Sequence, residues 1–170
     1  FTYNIHTNMP QDATGFTVTD ELKDVLEFAG DVQVTLGGKK ADAAVAKNGQ
    51  TLEVTFPEET VKANGGKKVQ VTFKAKIKAD ADLTPYETAN SYSVPNTASY
   101  LINNNPASKK ETKPVTVEVP KQPGPEVTKK INRTLDHLDV DRDVPYMYNV
   151  NTQIPKDIRL YKEFTVTDTL

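Results

Sequence analysis

A chain of 170 residues has room for one sizeable core, or for one domain and part of another. It contains no Cys, which excludes disulfides, iron–sulfur sites and thiol catalysis, and its net charge of −2 with scattered basic residues excludes a nucleic-acid footprint. No apolar run approaches about 18 residues, so the sequence predicts no membrane insertion.

Alternation with a period of two runs almost throughout, and helical periodicity is nearly absent. In chain order, Phe1, Tyr3, Ile5, Thr7 and Met9 share one strand face. Phe16, Val18 and Leu22 share another, with Asp20 in register among them. The segment Glu21 to Gly30 predicts a helical turn ahead of a strand from Asp31 to Leu36. Gly37-Gly38 and Asn48-Gly49 are turn signals, the second leading into a strand from Thr51 to Phe56. Lys67 to Ala79 predicts a long strand, with Val69, Val71, Phe73, Ala75 and Ile77 on one face and lysines on the other. Val94, Ala98, Tyr100 and Ile102 make an inward face that also holds Asn96, and Asn103 to Asn105 reads as a turn. Val115, Val117 and Val119 close this unit. Many short strands between turn signals predict an all-β, immunoglobulin-like antiparallel sandwich.

The chain then repeats itself. After a Pro-rich linker at 121–125, Val127, Lys129 and Ile131 share a strand face, and FTYNIHTNMP and FTVTDEL return as YMYNVNTQIP and FTVTDTL. Tyr3, Asn4, Thr7 and Pro10 recur as Tyr148, Asn149, Thr152 and Pro155; Phe16 to Asp20 recur as Phe164 to Asp168, with three extra residues in the connecting loop. A repeat this long predicts tandem domains, not a solenoid, whose periods run about 20 to 50 residues. The expected organisation is a domain over 1–120 lacking its first strand, the linker, and the N-terminal strands of a homologous domain over 126–170.

Three kinds of polar residue stand on faces that should be apolar: Asp20 with its copy Asp168, Asn96, and Lys129. Singly, each has an ordinary reading: an Asp capping a turn, an Asn satisfying backbone, a Lys snorkelling to solvent. Together they form a reactive set. In a dry core, burial favours the neutral amine, a nucleophile, and the neutral carboxyl, a proton carrier. Folding then holds amine against amide, ammonia leaves, and a Lys–Asn isopeptide bond remains. This is a single turnover, so the expectation is not an enzyme, and no cofactor or metal is expected.

The strings VTKKIN, FTVTDEL and PNTASY, followed by PVTVEVP and the Pro-rich linker, resemble the isopeptide-forming domains of Gram-positive backbone pilins and cell-wall-anchored adhesins. The resemblance spans essentially the whole chain and points to the collagen-adhesin A-like type that uses Asp. It implies Asp20 and Asp168 as proton shuttles, Asn96 and Lys129 as the bonded residues, and Lys129 over Lys130 by its parity with Val127 and Ile131. The first domain has acid and amide, with its Lys expected ahead of Phe1. The second has Lys129 and Asp168, with its Asn expected beyond residue 170. A sharper alternative has Val127 to Ile131 donated to a sandwich like 1–120 in a neighbouring molecule, bonding Lys129 to Asn96. The resemblance further implies an extracellular, cell-wall location, other pilin or adhesin subunits as partners, and attachment by sortase, although no sorting motif is visible.

Other signals point elsewhere. Asp139-Val-Asp141-Arg-Asp143 lacks the sixth-position Gly of a calcium loop and has Val150 in place of its last acid, so it reads as a solvated loop. His6 and His137 are isolated, and Asn132-Arg-Thr134 fits a glycosylation sequon by chance. Two further function classes remain open: an adhesin domain binding host matrix protein or glycan, with Tyr86 and Tyr92 as candidates, and a non-catalytic module of a secreted enzyme.

Overall fold

The structure is a computed structural model and describes residues 1–121, 124–155, 158 and 163–170. The chain divides into two compact units, Phe1–Lys121 and Gln122–Leu170. The centre of the linker, 122–123, and most of the longer loop of the second repeat, 156–157 and 159–162, lie outside the described residues.

In the first unit the strands are β1 (Thr2–Asn8), β2 (Phe16–Glu21), β3 (Leu26–Phe28), β4 (Gln33–Leu36), β5 (Lys39–Lys40), β6 (Ala44–Asn48) and β7 (Thr51–Phe56). A short helix, α1 (Glu58–Ala63), precedes β8 (Lys68–Ile77). After a single 3-10 turn, Thr84–Tyr86, come β9 (Ser91–Asn96), β10 (Ala98–Ile102), β11 (Asn105–Glu111) and β12 (Val115–Pro120). One sheet runs β1-β8-β4-β5 with β3 also on β8, a second runs β11-β10-β2-β7-β6, and β9 pairs β12 in a ribbon. All these pairs are antiparallel, as the immunoglobulin-like sandwich requires.

Period-two patterning builds the core. Tyr3 and Ile5 of β1 and Val69, Val71, Phe73 and Ala75 of β8 are buried in one cluster with Phe16, Val18, Leu52, Val54 and Phe56 of the second sheet. Tyr3 packs on Phe73 at 5.3 Å between ring centroids, and Phe16 on Phe56 at 5.9 Å. The β10–β11 connection turns at Asn103 and Asn104, with φ of 52° and 53°. Asn tolerates that left-handed region better than most residues, and the side-chain oxygen of Asn103 also accepts from the Thr14 and Gly15 amides at 2.8 and 2.9 Å.

Two expectations need correction. The segment Glu21 to Gly30 holds no helical turn: the Leu26 amide closes on the Lys23 carbonyl at 2.8 Å and the chain re-enters a sheet as β3. The Gln50 side-chain amide holds the Lys23 and Leu26 carbonyls at 2.9 and 2.5 Å, a long-range clamp with no local signature. Conversely, α1 had no periodic signal, because Val61 is its one buried residue. Its helix chemistry lies in Pro57 at the N-cap, Glu58 and Glu59 in the first turn, and a Glu58–Lys62 pair.

In the second unit β13 (Val127–Ile131) pairs antiparallel with β14 (Tyr148–Thr152), Lys129 lying opposite Val150. Residues 163–170 form no strand there, although the same FTVTD string is β2 in the first unit. In the first unit that string lies between β7 and β10, whose backbones satisfy both of its edges.

Candidate functional site

Asp20 stands at the end of β2, directly opposite Ala98 in β10 and Leu52 in β7. Asn96 ends β9, opposite Val115, two residues before β10 begins. The chain thus passes from the ribbon into the second sheet at Thr97, which delivers the Asn96 side chain over Asp20. The carboxamide nitrogen of Asn96 donates to both Asp20 carboxylate oxygens, at 3.0 and 2.9 Å. Both residues are buried, at 2% and 3% exposure. Burial pushes the Asp20 carboxyl up from its ordinary 3.8 to about 6, against the opposing pull of the Asn96 hydrogen bond.

Two polar atoms beside this pair are buried without a hydrogen-bond partner: the Asn96 carboxamide oxygen and the Tyr3 hydroxyl. Burial, and secondarily the Asp20 charge, push the Tyr3 hydroxyl up to about 12. Orphaned buried groups are costly, of order 1–3 kcal/mol each, and in a native fold call for an explanation. Tyr3 belongs to β1, an edge strand bonded to β8 alone. Next to it opens a cleft of about 70 Å³, lined by Ile5, Thr7, Val18, Ala98 and Tyr100. Val115, on the same face as Asn96, is 55% exposed.

The second unit holds the other two expected residues. Lys129 Nζ lies 2.7 Å from an Asp168 carboxylate oxygen and 4.2 Å from the centroid of the Tyr148 ring. Both partners of this ion pair are about a third exposed, whereas Asp20 is enclosed. Lys130, of opposite parity, pairs instead with Asp136. The structure therefore brings together Asp20 with Asn96, and Lys129 with Asp168, each pair inside its own unit. β13, the strand considered for donation to a neighbour, is paired with β14 of the same unit. Tyr3 did not stand out in the sequence; its recurrence as Tyr148, which stacks on Lys129, was the signal available. Of the two tyrosines considered for ligand contact, Tyr86 packs against the core, and Tyr92 lies under the Lys121 ammonium at 5.7 Å.

Strand order, sandwich core and the amide–carboxylate pair define the class: an immunoglobulin-like domain of the kind built into Gram-positive pilins and surface adhesins. Over all 170 residues the chain is 99% identical to platelet adherence protein A of Streptococcus gordonii, and it spans 5% of that protein's length. Among solved structures it is similar to the major pilin SpaD of Corynebacterium diphtheriae, with a TM-score of 0.52 and 26% identity over 76% of this chain and 32% of that one. It is similar in fold to BcpA, the major pilin subunit of Bacillus cereus, with a TM-score of 0.55 and 21% identity over 88% of this chain and 49% of that one. No protein-family profile matches the chain. No helix among the described residues is long and apolar enough to cross a membrane.

Proposed function

We propose that the chain is a stalk segment of a bacterial cell-surface adhesin or pilin, whose first unit is welded by a Lys–Asn isopeptide bond at Asn96. The observation that carries this reading is the buried Asn96 carboxamide lying on Asp20, a carboxyl whose pKa of about 6 lets it exchange protons near neutrality. The lysine comes from a strand outside residues 1–120. Its neutral Nζ attacks the Asn96 Cγ and forms the new C–N bond. Asp20 takes the proton the amine sheds and delivers one to the carboxamide nitrogen; the old C–N bond breaks and ammonia leaves. The second unit carries the start of an equivalent site in Lys129 and Asp168, with its amide supplied by residues after Leu170.

Such a bond closes nearly a whole domain into a loop. By analogy with a disulfide closing about 100 residues, it contributes roughly 4 to 5 kcal/mol. It resists reduction and suits an exposed shaft without Cys. The test is intact mass of a chain extended to include the lysine strand. The bond removes about 17 Da, the ammonia expelled by amine attack on the amide. Asn96→Ala and Asp20→Ala restore the full mass; unaltered mass in the parent chain overturns the reading.

The name of the 99%-identical relative favours a second reading, in which this chain itself contacts a host surface. Direct binding of the 170-residue chain to platelets would support it, and binding only by longer pieces of the adhesin would assign adherence elsewhere.

A further inference from the structure

We infer that the open edge of β1 is a strand receptor for an antiparallel segment of the pattern Val-x-Lys-x-Ile, with its lysine opposite Ile5 and its amine over the Tyr3 ring. The inference rests on the cross-link reading above and specifies its partner. The chain's own repeat supplies the register. β14 is the second copy of β1, with Tyr148, Val150 and Thr152 standing where Tyr3, Ile5 and Thr7 stand, and β13 lies on it with Ile131, Lys129 and Val127 opposite those three. Cross-strand partners share a sheet face. Tyr3 and Ile5 are buried, so a strand in this register turns its lysine inward as well.

Each feature left open in the first unit then has an occupant. The lysine amine meets the Tyr3 ring and the Asp20 carboxyl, as Lys129 meets Tyr148 at 4.2 Å and Asp168 at 2.7 Å. Asn96, already on Asp20, is within reach of the same amine. The residue two before the lysine lies opposite Thr7, which lines the 70 Å³ cleft, and an aliphatic side chain fills it. The unpaired outer edge of β1 gains backbone partners along Tyr3 to Thr7. The source of this strand is the longer chain immediately ahead of Phe1, in the same relation that β13 has to β14.

The experiment mixes the 170-residue chain with a synthetic EVTKKIN peptide. Expected are slowed amide exchange along β1 and a covalent adduct of peptide mass less about 17 Da, one ammonia lost in amide exchange. Asn96→Ala keeps the protection and loses the adduct. Peptide EVTKAIN reacts and EVTAKIN does not; equal reaction by both overturns the register. Tyr3→Phe, which keeps the ring, reacts with the pH profile of the parent, and Tyr3→Leu reacts at least tenfold more slowly; equal rates remove Tyr3 from its positioning role. No protection and no adduct overturns the receptor itself. Protection without an adduct from intact partners overturns the cross-link reading and leaves the receptor standing. A chain extended ahead of Phe1 takes up no peptide; undiminished uptake, or a ladder of the 170-residue chain alone on a denaturing gel, overturns the assigned source in favour of another strand or a second copy.

Discussion

Burial of Asp20 makes stability fall as pH rises, and the Asp20→Asn variant isolates the effect. The folded state raises this carboxyl from 3.8 to about 6, so it holds a proton more tightly than the unfolded chain does. Its contribution is therefore fully present below about pH 4, is lost as pH climbs towards 6, and is flat above. At about 1.4 kcal/mol per pH unit, the interval corresponds to about 3 kcal/mol. Nearly complete enclosure, at 2% exposure, means that solvent screening removes little of it. Asn in the same place has nothing to titrate. The stability difference between parent and Asp20→Asn should thus shift by about 3 kcal/mol between pH 4 and 7, with the parent losing ground at neutral pH. Urea unfolding followed through the Val54 and Val71 methyl NMR signals reads the first unit, where both side chains are fully buried. A difference that stays constant from pH 4 to 7 would refute the claim that Asp20 is held in a dry site.

Three further outcomes follow from packing and turn chemistry. Phe73→Ala removes a ring that contacts both Tyr3 and Phe28, and should cost about 3–5 kcal/mol in chemical denaturation. Asn103→Ala should cost about 1–3 kcal/mol more than Asn104→Ala in the same assay: both residues have positive φ, but Asn103 also accepts the Thr14 and Gly15 amides. Lys121→Ala releases the Glu87 carboxylate and the Thr88 carbonyl, each 2.6 Å from Nζ, so hydrogen exchange over 87–92 should quicken while Val71 is unchanged; the loss in global stability is at most about 1 kcal/mol for so exposed a pair.

Much of the sandwich was legible because its strands are half-buried and alternate. Thr51–Phe56 and Lys68–Ile77 follow that pattern residue by residue. What escaped had causes outside local pattern. The clamp of Gln50 on two distant carbonyls makes a strand entrance of a segment with helical composition. With a single buried residue, α1 leaves no stripe to detect. The polar residues among apolar ones were readable as exceptions, and parity separated Lys129 from Lys130 correctly as to partner. Parity says nothing, however, about how deeply a residue is enclosed, because enclosure depends on strands remote in sequence.

The repeated FTVTD string shows this dependence within one chain. Between β7 and β10, with Asn96 delivered from β9, its Asp is sealed and its carboxyl driven up to about 6. At 164–168 the same five residues form no strand, and Asp168 holds Lys129 as an ion pair open to solvent. An exposed pair of this kind favours the ammonium form, which has no lone pair with which to attack an amide. The reactive property thus belongs to the closed sandwich and not to the motif. Coupling the chemistry to closure has a physical advantage: the amine loses its charge when the last strand seats, so the irreversible bond forms on chains that have already found the native register.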